Sequence, residues 1–286
     1  MLIKRNLLLF FRDKANVFFS LLAVFIILGL YVLFLGDMME QNLRSQIGSD
    51  SDKIGMIMAS LTLAGMVAVT SVTGSLGAIG IRISDKETAA KDFLTSPASR
   101  GKITRSYIFG SAVIGFIMTS VALAIVLAYI ALNGGNLPDA AGFARLLLAA
   151  LLSVLCGNAI VFFISVFVKT LNAFSSLSTI IGTLIGFLMG IYIPVGQFPS
   201  AVQWVVKCFP MTHAASMFKQ VLADAGLAAL FGDMPPEALE GFRKTFGIVF
   251  SYGNFVSDFW FSAAVLAVTT VIFYALSLLV IKARRE

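Results

Sequence analysis

The chain has 286 residues, of which 58% are hydrophobic and 13% are charged, whereas about a quarter of the residues of soluble domains are charged. This composition excludes an ordinary soluble protein and indicates an integral membrane protein. The net charge of +6 does not require a nucleic-acid partner, because most of the basic residues lie in short segments between apolar runs, and none is expected.

The N-terminal residues 1–16 form a moderately amphipathic stretch. At 100° per residue, Lys4, Arg5 and Arg12 share one sector of a helix and apolar residues share another. Such a helix can lie along the inner leaflet, with its basic side toward anionic headgroups. The alternative is a charged flank that only fixes the topology. The apolar run after it lacks a small-residue cleavage site, so it is predicted to remain as the first span.

Six uncharged runs follow one another along the chain. Each reaches the roughly 20 residues that a helix needs to cross about 30 Å of hydrocarbon. The runs are 17–36, 54–81, 106–132, 146–168, 171–206 and 259–281. They predict an all-α membrane protein with six transmembrane helices in one membrane domain over residues 1–286. An even number of spans places both termini on one side.

The distribution of basic residues predicts the orientation. If the termini are cytosolic, the inner segments hold 14 of the 21 Lys and Arg residues but only five of the 15 acidic ones. The positive-inside rule therefore predicts cytosolic termini, in a multi-pass protein of a cell membrane, inner or plasma, with a bacterial source expected.

Small residues mark the second and fifth runs. In the fifth run they recur at every fourth position, at Ser178, Gly182, Gly186 and Gly190. Because lipid tails give helices no hydrophobic gain on association, small residues that let backbones approach closely are a main route to packing. We expect this stripe to pack helices within the subunit or between subunits; lining a substrate path is the alternative.

The segment 82–105 carries nine of the 36 charged residues and separates two uncharged runs. It is predicted to be a solvated cytosolic loop with a short helix before Pro97. Its acidic groups can meet basic groups on a partner, and its basic groups can meet acidic groups or lipid headgroups. The candidate contact residues are Asp85, Glu87, Asp92, Phe93 and Arg100. A loop that only fixes topology is the alternative.

The outer segment 194–257 holds five of the seven prolines. Since proline obstructs helix continuation, the fifth span should end or break near Pro194. Residues 201–206 and 214–230 are apolar enough to sit at the outer interface or to re-enter the membrane as short helices. Unpaired peptide groups in lipid cost several kcal/mol each, so this segment should pack on the bundle.

Several kinds of chemistry are missing from the sequence. The six runs contain no Asp, Glu, Lys, Arg or His, which disfavours ion coupling through buried charge. There is no GxxxxGK[ST] phosphate loop, no HExxH and no CxxC, and the single histidine, His213, is expected to pack or hydrogen-bond. We therefore expect no catalytic residue, metal or cofactor in this chain. If the protein moves a solute against a gradient, the free energy should enter from a partner at the cytosolic face.

The order of parts resembles the permease subunit of type-2 ABC exporters, the family that includes daunorubicin-type multidrug, lipid-linked glycan and antimicrobial-peptide exporters. RNLLLFFRDKANVFFSLLAVFIILGLYVLFLG is similar to its interfacial elbow and first span. SDKETAAKDFLTSPASRGKI resembles its coupling loop, and GIYIPVGQFPSAVQWVVKCFPMTH its proline-punctuated end of the fifth span with outer re-entrant helices. One departure is Val24, where many relatives carry Pro, so no kink is implied there.

The resemblance implies a complex of two copies of this chain with two cytosolic ABC ATPase subunits, which would carry ATP and Mg²⁺. Each ATPase would bind through the 82–105 loop at the five contact residues named above. The first and fifth spans would lie near the dimer axis, so the stripe from Ser178 to Gly190 would pack there. The outer gate would be shaped by Pro194, Phe198, Pro199 and Pro210.

These implications predict a subunit that exports a hydrophobic or amphiphilic substrate, since uncharged spans rich in Phe and Met suit an apolar, adaptable pathway. The high Phe content is equally explained by Phe side chains that face lipid on the outside of the bundle. The alternatives are an ATP-independent channel or secondary carrier, and an accessory membrane subunit without transport of its own.

Overall fold

The computed structural model describes residues 2–47, 53–88, 100–232 and 235–283. In chain order the helices are α1 (Leu2–Arg12), α2 (Lys14–Leu30), α3 (Gly36–Ile47), α4 (Lys53–Thr88), α5 (Arg100–Leu132), α6 (Ala140–Phe167), α7 (Leu171–Leu188), α8 (Ser200–Cys208), α9 (Pro210–Phe231), α10 (Pro236–Thr245) and α11 (Phe259–Ala283). A two-residue hairpin of β1 (Ser251–Tyr252) and β2 (Phe255–Val256) precedes α11.

Within the described residues, six helical segments are long and apolar enough to cross a membrane, and they correspond to the six uncharged runs. They are Lys14–Gln41, Ile54–Thr88, Gly101–Leu132, Ala140–Phe167, Leu171–Leu188 and Phe259–Ala283. The prediction of an all-α membrane protein with six spans is therefore confirmed. Below, "inner" denotes the end of the bundle that carries the basic segments and "outer" the opposite end.

Helix α4 forms the centre of the bundle and packs against α2, α5, α6, α7 and α9. In its most apolar stretch 89% of the residues are buried, against 11% in α11. Its small residues permit this close packing: a Cβ added at Gly77 would lie 2.5 Å from Ser20 Oγ, and one at Gly65 would lie 2.6 Å from Ile191. Small residues at helix contacts are what association in lipid requires.

The first span departs from a regular helix beyond its middle. Val24 is buried inside α2, which continues through it. The irregularity lies at Tyr31–Leu35, a π-helical turn that joins α2 to α3. Buried Tyr31 donates a hydrogen bond to Gly55 O at 3.0 Å, which fixes this turn against the start of α4.

The 82–105 loop begins later than its charges predict. Helix α4 continues through Arg82 and Asp85 to Thr88, and α5 begins at Arg100. Arg82 and Asp85 are buried, which corrects the expectation that the loop is solvated from residue 82. Charge alone indicated solvent here, whereas both side chains find polar partners inside the protein.

The outer segment packs on the bundle mainly through α9, and residues 211–219 of that helix are all buried. They lie against α4, α6 and α11. Helix α7 ends at Leu188, so the uncharged run 171–206 is a span only in its first half, and the chain turns before Pro194. The turn residue Gly190 has φ +64°, a conformation that L side chains rarely adopt.

Candidate functional site

Asp85 lies at the centre of a buried polar network at the inner end of α4. Arg5 of α1 donates to both of its carboxylate oxygens, at 2.7 and 2.9 Å, and the hydroxyl of Tyr107 of α5 donates to it at 2.5 Å. The hydrogen bond with this carboxylate raises the pKa of Arg5. Asp85 is 8% exposed. The prediction that Asp85 faces a partner is therefore corrected: its carboxylate joins α1 and α5 to α4 inside the chain.

Arg82 makes the corresponding link to α6. Its Nη1 donates to Ser165 Oγ at 3.0 Å, and its guanidinium lies 4.8 Å from the centre of the Phe162 ring. A cation over an aromatic face is stabilised further when water is excluded, as it is at this buried residue.

Glu87 links α4 to α7. Its Oε1 accepts a hydrogen bond at 2.8 Å from the backbone N–H of Leu171, the first residue of α7. A carboxylate at a helix N-terminus satisfies an amide that has no intrahelical partner, and it interacts favourably with the helix dipole. The Glu87 side chain is otherwise exposed.

We call Arg82, Asp85 and Glu87, together with the groups they bind, the inner junction. The three α4 side chains contact four different helices: α1, α5, α6 and α7. A displacement of the inner end of α4 must therefore carry those helices with it or break these bonds. Of the other predicted contact residues, Asp92 and Phe93 lie outside the described residues, and Arg100 is the first residue of α5.

A groove of about 900 Å³ opens beside the junction, between α1, α2, α4 and α7. Its walls include the polar residues Asn16, Thr73 and Ser178 and the apolar residues Leu76 and Phe174. The groove is thus mixed in character, and its inner end is bordered by Arg5 and Asp85.

The four residues of the predicted small-residue stripe of the fifth span do not share one packing surface. A Cβ at Gly182 would meet nothing within 4 Å, whereas one at Gly186 would meet the Tyr192 ring at 2.6 Å. Ser178 Oγ donates to Phe174 O at 2.8 Å and lines the groove. Gly190 does not belong to the stripe, because α7 ends before it; its role is the left-handed turn. Residues spaced by four share one face only within a continuous helix, and α7 ends at Leu188.

The residues predicted for an outer gate lie at the starts and ends of short helical elements. Pro194 precedes the 3₁₀ turn Val195–Gln197, Pro199 precedes α8, and Pro210 is the first residue of α9. Phe198 packs against the buried cluster of Val195, Val206 and Phe250. These prolines therefore lie at element boundaries in the outer cap, our name for the described residues from Pro194 to Val256, which form the 3₁₀ turn, α8, α9, α10 and the hairpin.

Lys219 of α9 is a buried residue that the sequence analysis missed. It is 2% exposed, and its Nζ donates to Phe246 O at 2.9 Å, to Met189 O at 3.3 Å and to Gly190 O at 3.4 Å. Burial lowers its pKa to about 8. These carbonyls follow the last residues of α7 and α10, so the ammonium group caps two helix ends at once. A single Lys inside the apolar run 214–230 was the available signal.

His213 lies where α8, α9, α11 and the hairpin meet. Its Nδ1 is 3.2 Å from Ser262 Oγ, and its Nε2 is 3.2 Å from Lys207 O and from the Tyr252 hydroxyl. Burial lowers its pKa. The histidine therefore packs and hydrogen-bonds. In the described ranges, no group of three or more His, Cys, Asp or Glu side chains could hold a metal ion.

Comparison with known proteins identifies the family of this chain. Residues 37–279 match the family described as "ABC-2 family transporter protein". A search of curated proteins returned no match to the chain. Since the matched region extends from the end of the first span to the last, the chain belongs to the ABC-2 transporter family and is a membrane permease subunit of an ABC transporter.

Proposed function

We propose that this chain is the membrane subunit of an ATP-driven exporter that moves a hydrophobic or amphiphilic substrate outward. A separate ABC ATPase subunit, which binds ATP and Mg²⁺, would dock on the loop that follows Thr88. The inner junction is the observation that carries this proposal. It connects the helix that leads into the loop with four other helices, through Arg82, Asp85 and Glu87.

The junction supplies a physical route from the loop to the spans. A motor protein can bias a conformational equilibrium only by binding its states with different affinity. An ATPase that pulls on the residues after Thr88 acts on the inner end of α4, and α4 is in direct contact with most of the bundle. Movement of the loop is thereby converted into movement of α1, α5, α6 and α7.

Helix α7 supports a complex with two copies of the chain. It is the least apolar of the six spans, yet only 17% of it is buried within one chain. Ser176, Thr179 and Thr183 are exposed, and each donates a hydrogen bond to a carbonyl one turn earlier. With these donors satisfied, the small polar face can pack closely against another helix. We assign that face, with Gly182 at its edge, to contact with a second copy.

The groove between α2, α4 and α7 supports an amphiphilic substrate. Its volume of about 900 Å³ lies within the range of ligand pockets for drug-sized molecules, roughly 300 to 1,000 Å³. Apolar Leu76 and Phe174 can contact a hydrocarbon portion, while Asn16 and Thr73 offer hydrogen bonds to a polar portion. Its position beside the inner junction means that movement of α4 changes its width.

Co-purification and transport test this proposal together. The permease is co-expressed with a candidate ABC ATPase subunit, and the complex is reconstituted in liposomes with a panel of fluorescent amphiphiles. We expect an equimolar complex and ATP-dependent accumulation on one side. Asp92→Lys in the loop should release the ATPase, whereas Glu237→Lys, a matched charge reversal at the exposed start of α10, should not.

Uphill transport by the purified permease alone would overturn the proposal and favour a secondary carrier. Stable ATPase binding with no transport of any amphiphile in the panel would contradict the substrate class and leave an accessory role. Charge reversal at Asp85 is unsuitable for this test, because its carboxylate is buried and a lost fold would mimic lost binding.

A further inference from the structure

A polar network joins three spans in the inner half of the bundle. The Asn158 side chain of α6 is fully buried; its Nδ2 donates to Ser111 Oγ of α5 at 2.7 Å, and its Oδ1 accepts from the Tyr274 hydroxyl of α11 at 2.9 Å. Counted from the inner ends of their helices, Asn158 and Tyr274 lie ~14 Å inside, at 1.5 Å per residue. The network therefore lies within the spans and not at their inner surface.

Ser111 fixes the directions of these hydrogen bonds. Its single hydroxyl hydrogen is directed to carbonyls of its own helix, Tyr107 O at 2.7 Å and Ile108 O at 3.0 Å. Towards α6 it can therefore only accept, so the NH₂ group of Asn158 must face it. That orientation leaves Oδ1 for the Tyr274 hydroxyl. A reversed amide would break both interhelical bonds, so the network has one arrangement.

The network continues into the inner junction through Tyr107. The carbonyl of Tyr107 accepts from Ser111, and its side-chain hydroxyl donates to Asp85. A continuous series of bonds thus runs from α4 through α5 and α6 to α11. This last span is not among the four helices that the inner junction connects.

Helix α11 depends on such a link because little of it is enclosed by the chain. Only 11% of its most apolar stretch is buried. Helices in lipid gain little from apolar contact, so hydrogen bonds between polar side chains help to hold them together. Other hydroxyls of α11 are used within the helix: Ser277 donates to Phe273 O at 2.7 Å. Tyr274, in contrast, reaches across to α6.

We propose that Asn158 is a positioning residue that ties α11 to the inner junction, so that the last span moves with α5 and α6 when α4 is displaced. Polar side chains inside a membrane are costly unless they are paired, and they mark functional positions. The role in transport rests on the proposed function. The tie itself is a property of the permease alone and is tested separately.

Spin labels on the permease alone test the tie. A Cys208→Ser background removes the exposed cysteine and keeps Cys156, which is buried and out of reach of the label. Labels are attached at Lys102→Cys near the inner end of α5 and at Ala283→Cys at the inner end of α11, both exposed positions. Pulsed electron double resonance in nanodiscs then gives the distribution of distances between the two helix ends.

We expect one narrow distribution for the parent and a shift to additional, longer distances in Asn158→Leu and in Tyr274→Phe. Tyr274→Phe deletes the 2.9 Å hydrogen bond and keeps the ring. Ser277→Ala is the matched control, since it removes a hydroxyl that donates within α11, and its distribution should equal that of the parent.

The double variant separates positioning from stability. Asn158→Leu combined with Tyr274→Phe removes acceptor and donor together, so the melting temperature should return close to that of the parent. Ser111 keeps the bonds to its own helix. With the ABC ATPase in liposomes, substrate moved per ATP should nevertheless stay several-fold below the parent, because α11 no longer follows α5 and α6.

Unchanged label distances in Asn158→Leu and Tyr274→Phe would overturn the inference, whether or not the chain belongs to an exporter. Recovery of transport per ATP together with melting temperature in the double variant would also overturn it, since the network would then serve stability alone. Failure of the parent to bind an ABC ATPase would overturn the proposed function and with it the role in transport, whereas the label distances decide the tie independently.

Discussion

Arg5 and Asp85, which are 80 residues apart in the chain, form a two-point ion pair with N···O distances of 2.7 and 2.9 Å. The pair fixes the N-terminal helix to the inner end of the central helix. Its geometry is the paired arrangement that makes Arg–carboxylate contacts both strong and directional. The carboxylate side chain is 11% exposed and the arginine 36%, so solvent screens the pair on one side.

Removing either partner should destabilise the protein. The double variant should lose less stability than the two single variants lose when their effects are added. For Arg5→Gln and Asp85→Asn we expect a coupling energy of about 1 to 2 kcal/mol, below the full value for a charged hydrogen-bonded pair because Arg5 is partly exposed. Unfolding in mixed micelles measures it. As a control, Lys4→Gln removes an exposed charge from the same helix and should have little effect on the free energy of unfolding. If the double variant loses as much stability as the two single variants together, the two residues are not coupled.

The Tyr107 hydroxyl should matter for coupling more than for assembly. Tyr107→Phe deletes the 2.5 Å hydrogen bond to Asp85 and leaves the ring in place. The loop sequence is unchanged, so ATPase binding should persist while substrate moved per ATP falls several-fold, because the polar link between α5 and the inner end of α4 is lost. Tyr129→Phe removes a hydroxyl near the other end of the same helix and serves as control. Equal transport per ATP in the two variants would exclude a coupling role.

Gly182 separates packing within one chain from packing between chains. A side chain there would meet nothing within 4 Å, so Gly182→Leu should leave the thermal stability of the monomer unchanged. If α7 contacts a second copy, the same change should shift the protein from dimer to monomer, as measured by single-molecule mass in detergent. Gly77→Leu is the contrast: its Cβ would lie 2.5 Å from Ser20 Oγ, so overpacking should cost about 1 to 3 kcal/mol. An unaltered dimer fraction in Gly182→Leu would remove α7 from the interface.

The sequence predicted the spans well because hydrocarbon imposes a simple requirement of length and absence of charge. The predicted start of the 82–105 loop was wrong because the charged residues Arg82 and Asp85 were assumed to be exposed to solvent. Arg82 and Asp85 are buried because partners from distant helices, Ser165 and Arg5, supply their hydrogen bonds. Pairings over 80 residues leave no local pattern in one sequence. Lys219 was missed for a different reason: its acceptors are backbone carbonyls, which every residue type carries, so the sequence does not show which ones it will meet.

Lys219 should make the stability of the cap depend on pH in alkaline solution. Burial lowers its pKa from the ordinary 10.5 to about 8, so between these values the unfolded chain binds a proton that the folded protein does not. Stability therefore rises as pH increases from 8 to 10.5, by up to about 3 kcal/mol, since each unit of pKa corresponds to about 1.4 kcal/mol. Below pH 8 both states are protonated, and this contribution is constant.

Lys219→Met should abolish this rise, because it removes the titrating group while keeping a side chain of similar length. The comparison requires a control, since tyrosines and other lysines titrate in the same range. Lys244→Met is suitable because Lys244 is exposed and pairs with Glu240 on the surface of α10. Melting temperatures in detergent from pH 7.5 to 10.5 should rise for the parent and for Lys244→Met but stay flat for Lys219→Met. A parallel rise in all three would mean that Lys219 stays protonated, held by its three carbonyl acceptors more strongly than burial disfavours its charge.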